Sequence, residues 1–200
     1  MLLVSQSRSL TNGQIFNSNL NDATTWTALD VITAERENDP LVAIAKHHDH
    51  IVAFGSRTIE FLYDAANPTG SPLSRREDIA YNVGLRGISA FAEANDDIYF
   101  IGNNQYGGTG LYILRDFQIE LLSDDTFNNW LLNVSTTDNF HVGAFSWNGR
   151  IFITITHSAS DLGSPTVTFV YDNGHMYIWD TDSLTGLTDF NVMGYTALAS

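Results

Sequence analysis

Three constellations in this 200-residue chain carry residue types that do chemistry. The densest is His47-His48-Asp49-His50, four consecutive metal-ligand types. On an extended strand His48 and His50 share one face and His47 with Asp49 the other, because side chains alternate. A closed metal site needs three or four ligands converging on one point, which adjacent residues reach only around a loop. The segment reads as a polar turn between Ala45 and Ile51, and no metal site is assigned. The second constellation is a set of acidic pairs: Glu35 with Glu37, Asp96-Asp97 and Asp124-Asp125. A glycosidase needs two carboxylates about 5–10 Å apart, one of them with a pKa raised by burial. Each of these pairs sits among turn formers and reads as solvated loop. The third is Glu60, which lies beside Phe61 on an apolar stretch and near Arg57. It reads as half of an ion pair with Arg57 or another arginine, between sheets or between subunits.

Other catalytic footing is thin. There is no Gly-x-Ser-x-Gly elbow and no Gly-x-x-x-x-Gly-Lys phosphate loop, and Lys46 is the single lysine. Zero cysteines removes thiolate nucleophiles, disulfides and cysteine-based zinc sites together. No catalytic residue, cofactor or enzymatic activity is assigned.

The elements that would position these residues are short strands. Ile98-Tyr99-Phe100-Ile101, Leu111-Tyr112-Ile113-Leu114, Ile151 to Ile155 and Val167 to Tyr171 are rich in β-branched and aromatic residues. Each stops within a few residues at Asn, Asp or Gly, as strands bounded by turns do. Asn148-Gly149 and Asn173-Gly174 tolerate the positive φ angles of a tight hairpin. No long segment carries a 3.6-residue period. With 12 Phe, 8 Tyr, 4 Trp and 44% hydrophobic residues, the chain has material for a packed core, and intrinsic disorder is excluded.

Repetition sharpens this all-β reading. Leu41-Val42-Ala43 leads to His50 to Gly55, Ile88-Ser89-Ala90 to Asp97 to Gly102, and Val142-Gly143-Ala144 to Arg150 to Thr154. A third strand follows in each: Thr58 to Asp64, Gly110 to Asp116, and Thr166 to Asp172. Ala43, Ala90 and Ala144 recur at intervals of 47 and 54 residues. A period of this length, with three or four strands each, is the signature of β-propeller blades, and a small residue suits inner strands crowded around a channel. The expectation is a single all-β propeller-type domain or fragment over residues 1–200, with antiparallel sheets about an axis. Blade-like repeats fall near 41–85, 88–130 and 142–180, which makes three to four blades. The chain starts abruptly within a blade, so upstream blades are expected to be missing.

One stretch is more distinctive than the rest. It runs Asn19-Leu-Asn-Asp-Ala-Thr-Thr-Trp26-Thr-Ala-Leu-Asp30-Val-Ile-Thr-Ala-Glu35-Arg-Glu-Asn-Asp39-Pro-Leu41, and is followed by Phe54-Gly55-Ser56-Arg57-Thr58-Ile59-Glu60-Phe61. Together these resemble the packaged-DNA stabilisation proteins of short-tailed bacteriophages, the tail hub or nozzle proteins. In that family a Trp-x-Ala-Leu-Asp-x-x-Thr-Ala-Glu segment precedes an Asp-Pro and a Phe-Gly-x-Arg-x-x-Glu strand pair. Gly110-Leu111-Tyr112 and Thr168 to Asp172 followed by Trp179 look like later blades of the same family. The family's chains are much longer, and this one lacks a counterpart of their N-terminal blades. The resemblance implies a virion protein of the phage tail, acting as a hexameric ring that continues the portal channel and retains packaged DNA. Its implied partners are portal or adaptor proteins, tail-tip proteins, and double-stranded DNA passing without tight binding. Trp26, Asp30, Glu35, Arg57, Glu60 and Tyr106 are the candidate structural or interface residues.

Composition bears on that role independently. The 9 Lys plus Arg against 23 Asp plus Glu leave a net charge of −14, the opposite of the basic footprint a nucleic-acid clamp needs. Double-stranded DNA carries one charge per about 1.7 Å of axis, so an acidic wall repels it and makes a conduit rather than a grip. The longest aliphatic run, Leu41 to Ala45, falls far short of the roughly 20 residues of a membrane helix. Met1 to Gln6 lacks the charged start of a signal peptide. No membrane partner is expected.

Two segments point elsewhere. Asn19-x-Asn21-x-Ala23-x-Thr25-Trp26 has the spacing of the Asp-box (Ser-x-Asp-x-Gly-x-Thr-Trp) of sialidase-type propellers, a turn whose side-chain oxygens bond the loop backbone while Trp caps the blade core. This supports an alternative, a carbohydrate-binding or glycoside-hydrolysing propeller; a protein-interaction propeller outside any virion is a third. Gly102 to Gly110 reads as an extended hairpin tip that presents Tyr106 to a channel or a neighbouring protein.

Overall fold

The computed structural model describes residues 3–5, 13–19, 21–34, 39–134, 139–158 and 167–179. Among them, secondary structure is antiparallel β with a single helix, so the all-β expectation holds. The chain forms two compact units, Met1–Leu85 and Arg86–Ser200.

In the first unit, β1 (Leu3–Ser5), β2 (Gly13–Asn19) and β3 (Asp22–Ala34) form one sheet in that order. A second sheet runs β4 (Leu41–His47), β5 (His50–Gly55), β6 (Ile59–Asp64) and β7 (Leu73–Tyr81), followed by β8 (Val83–Leu85). Ile15, Leu41, Ala53, Leu62 and Leu73 make the core of this unit, with Leu3, Ile32, Ala34, Ile44 and Ile51 packed against it. In the second unit, β9 (Phe91–Ala94), β10 (Asp97–Asn104), β11 (Thr109–Arg115) and β12 (Gln118–Leu121) pair in sequence. After α1 (Asp125–Leu132) come β13 (Asn139–Trp147), β14 (Arg150–Ser158), β15 (Val167–Asp172) and β16 (His175–Trp179), also paired in sequence. The strands opening these two sheets approach each other, and the Val142 N–H donates to the Ser89 carbonyl at 2.8 Å.

Burial is greatest in the middle strands of each sheet and least in the last one. β10 and β11 are buried on both faces, which is why their sequences are nearly continuous apolar runs. The last strand of each sheet is the open one: β3, β12 and β16 are largely exposed and β7 is charged through Arg75-Arg76-Glu77-Asp78. Charges on such an edge block pairing with another strand. Among the described residues, four hairpins close on two-residue turns with both residues at positive φ: Asn95-Asp96, Asp116-Phe117, Asn148-Gly149 and Asn173-Gly174. That is the turn whose twist matches the strands it joins. Ala43 lies buried on β4 and Ala144 half-buried on β13, whereas the buried Ala90 sits just before β9, its N–H donating to the Gly87 carbonyl.

The helix is the element that the sequence pattern did not announce. Asp124 caps it, its carboxylate accepting the Phe127 N–H at 2.8 Å, as cap residues do. Phe127 and Trp130 pack onto Phe169, with ring centroids 5.0 and 4.6 Å away, and Trp130 also meets His157 and Phe140. The pair Asp124-Asp125 is therefore a helix start rather than a solvated loop.

Candidate functional site

The first unit builds its most constrained corner around an aspartate. Asp39, only 5% exposed, accepts hydrogen bonds from the Arg57 N–H at 2.7 Å, the Thr58 N–H at 3.1 Å and the Thr58 hydroxyl at 3.0 Å. Its neighbour Pro40 accepts from the Ser56 N–H at 3.0 Å, and Gly55 donates to the Thr58 carbonyl at 2.8 Å. The turn from β5 to β6 is thus tied to the Asp39-Pro40 segment by four bonds, and the fifth closes the turn on itself. Glycine is required twice: a Cβ at Gly55 would overlap the Asp39 carboxylate, and one at Gly84 would overlap the Ser56–Arg57 backbone. Asp-Pro and Phe-Gly-x-Arg-x-x-Glu are two halves of one corner. Asp39 was not among the sequence candidates; its spacing from the Phe-Gly turn was the available signal.

Glu60 follows on β6 and is 2% exposed. The β6–β7 register sets Leu62 opposite Arg75, and the Arg75 guanidinium reaches Glu60 at 3.2 Å and Glu77 at 3.1 Å. The observed partner is therefore another arginine, on the next strand of the same sheet. Arg57 lies exposed in the turn itself.

The remaining candidates occupy strand ends and turns. His47 closes β4, His48 (φ +53°) and Asp49 form the turn, and His50 opens β5. The His50 ring lies 2.6 Å from the Asp49 carboxylate, and this hydrogen bond holds the Asp49 pKa below its ordinary value. Between β2 and β3, Asp22 rather than Asn19 or Asn21 supplies the oxygens that bind the turn. It accepts from the Thr24 N–H and hydroxyl at 2.9 and 2.7 Å and from the Thr25 hydroxyl at 2.6 Å, bonds that lower its pKa to about 2. Trp26 does not cap a core: its indole N–H donates to the Ala23 carbonyl at 3.1 Å and the ring is 41% exposed. Phe16 and Ser18 of β2 face Val31 and Trp26 of β3, so Thr27 to Asp30 bulge out of the ladder. Asp30 is half-buried there. Glu35, Glu37 and residues 180–200 lie outside the described residues.

In the second unit, the Asn104 carboxamide organises the β10–β11 tip, accepting the Tyr106 and Gly108 N–H groups at 3.0 and 2.8 Å. This short loop presents Tyr106 at 87% exposure. At the opposite ends of the strands, Asp97 receives Nε and Nη2 of Arg115 at 3.0 and 2.8 Å, and Asp172 pairs with Arg150. Among the described residues no group of three or more His, Asp or Glu side chains is placed to hold a metal ion, and Asp96-Asp97 is a hairpin turn running into β10.

A family model described as bacteriophage P22 Gp10, beta-propeller, matches residues 4–173. The chain belongs to this phage stabilisation family. The match takes in all of the Trp26 to Glu60 stretch and both later sheets as far as the β15–β16 turn. It makes the fold a β-propeller and the protein a structural component of a phage particle, in a family concerned with stabilising packaged DNA. No curated protein matches the chain.

Proposed function

We infer that this chain forms part of the wall of a phage tail hub, a ring of six copies that continues the portal channel and keeps packaged DNA in the capsid. Family membership over residues 4–173 is the observation that carries this reading. The charge of −14 supports it, since an acidic wall repels the DNA backbone and lets DNA pass without stripping its counterions. Portal or adaptor proteins adjoin the ring on one side and tail-tip proteins on the other. The exposed Tyr106 on its tied loop is the contact offered to a neighbouring tail protein, since aromatic side chains anchor such interfaces. Trp26 and Asp30, on the exposed edge formed by β3, serve a second contact. The Asp39 and Glu60 corner holds that edge's connection to the next sheet in shape.

Mass photometry and negative-stain imaging of the chain test this reading, together with gel retardation of a linear duplex at about 50 mM salt, where electrostatic binding is strong. Six-membered rings and no retardation are expected. A monomer that retards DNA at that salt would overturn both the ring and the non-sticky channel.

A further inference from the structure

The second unit holds a groove of about 590 Å³ between its two sheets, framed by the Asn148-Gly149 turn and by Asn95 and Asn173. Arg115, Glu120 and Tyr99 line it from one sheet, and Arg150, Asp172 and Tyr171 from the other. Of its apolar lining residues Ile113 and Ile153 are buried and only Leu122 and Ile151 are partly exposed, so the accessible walls are mainly polar. We propose that this groove binds a neutral oligosaccharide.

The charge balance narrows the ligand. Two guanidinium groups and two carboxylates face the groove in a chain whose net charge is −14. It is locally balanced, so it selects neither a polyanion such as DNA nor a polycation. An apolar ligand would leave the charged walls without partners, at a desolvation cost. The arrangement of donors and acceptors then identifies the class. Each arginine is held by an aspartate: Arg115 uses Nε and Nη2 on Asp97, which lies outside the lining, and Arg150 uses Nη2 on the lining Asp172. Both arginines remain more than half exposed, and a guanidinium has five N–H donors. Each wall therefore offers N–H donors together with a carboxylate acceptor, Glu120 on one and Asp172 on the other. A sugar hydroxyl donates and accepts at once, so adjacent hydroxyls are satisfied by such a pair where a simple ion is not. Tyr99 adds a phenol whose pKa is raised by burial and which stays protonated as a donor.

Saturation-transfer NMR of the full chain with maltohexaose, chitohexaose and a galactan hexamer, and with hexaglutamate as the anionic probe, tests this. At least one neutral saccharide is expected to bind with a Kd of about 1 mM. Arg115→Lys and Arg150→Lys keep the charge and the ion pair but lose the planar fork. Each is expected to weaken that binding by about tenfold, the loss of one charge-assisted hydrogen bond, with an unchanged thermal melt. Binding of none of the three saccharides up to about 10 mM, well above the expected Kd, would overturn the proposal. So would equal binding by both arginine variants, or binding of hexaglutamate alone.

Discussion

The two units place their acidic residues differently. In the first, Asp39 and Glu60 are buried and face inward, one answered by backbone N–H groups and the other by Arg75. In the second, Asp97 and Asp172 sit at strand ends and are themselves mostly buried, but the arginines that answer them are more than half exposed. A buried carboxylate is costly unless all of its oxygens find partners, so the first unit's acids determine where the chain goes. A pair whose arginine lies largely in water gains less, because solvent screens it, and the guanidinium remains available to a ligand. The same residue type is thus answered from inside the fold in one place and from the surface in the other.

The largest break in this contrast is expected at Asp39. Asp39→Ala strands the Arg57 and Thr58 N–H groups and the Thr58 hydroxyl, and should cost about 3–5 kcal/mol in urea unfolding, given about 1–3 kcal/mol for each buried group left unsatisfied. Asp39→Asn keeps one acceptor oxygen and should cost less than half of that. Next comes Gly84→Ala. The added methyl meets backbone that cannot rotate away, and overpacking of this kind costs about 2–3 kcal/mol. The same assay reads it, and a loss under about 0.5 kcal/mol, the range of neutral surface changes, would mean that the corner is looser than described.

Arg75 tests whether Glu60 is pinned by charge. Arg75→Met leaves the buried carboxylate without this guanidinium and should cost about 2 kcal/mol, below the usual range for a buried pair because Arg75 is 30% exposed. Adding Glu60→Gln to Arg75→Met should recover more than half of the loss; a double-mutant cycle with no coupling would show that the two act separately. In the second unit, Arg150→Ala should cost about 1 kcal/mol, less than Arg75→Met, because the guanidinium lies mostly in water although Asp172 itself is buried. A loss as large as that at Arg75 would erase the distinction between the units.

How far the sequence foretold these features depended on how local their causes are. The Asn148-Gly149 and Asn173-Gly174 turns were legible because positive φ is a property of the residues themselves. The strand runs of β10 and β11 were legible because burial on both faces writes an uninterrupted apolar stretch. The helix was not, since eight residues give too few turns for a period to emerge from Phe127, Trp130 and Leu131. The repeat spacing puts Ala90 on a strand, because spacing cannot tell the first residue of a strand from the turn before it. Asp39 was illegible as a pin for another reason. Its partners are main-chain groups 18 and 19 positions away, and a backbone N–H leaves no mark on composition. The partner of Glu60 was set by the β6–β7 register, which shifts between Glu60 and Leu62 and brings Arg75 into reach.

The smallest expected effect lies at Asp22, an exposed acid of the first unit that is neither buried nor ion-paired in the turn it holds. Its pKa is about 2 against an ordinary 3.8, the Thr24 hydroxyl being the largest cause and the Thr25 hydroxyl next. A carboxyl whose folded pKa is depressed stabilises the fold above its unfolded pKa and loses that contribution as pH falls through the folded value. The contribution of this turn should therefore be intact above about pH 4 and fade between about pH 4 and 2. Carboxyl NMR titration of Asp22 should find its midpoint near 2, and Thr24→Ala should move it toward 3.8 with little change in global stability. If Thr24→Ala left the midpoint in place, the turn would be held by something other than these hydroxyls. The first unit's habit of tying acids to neighbouring N–H and O–H groups would then stop at its buried corner.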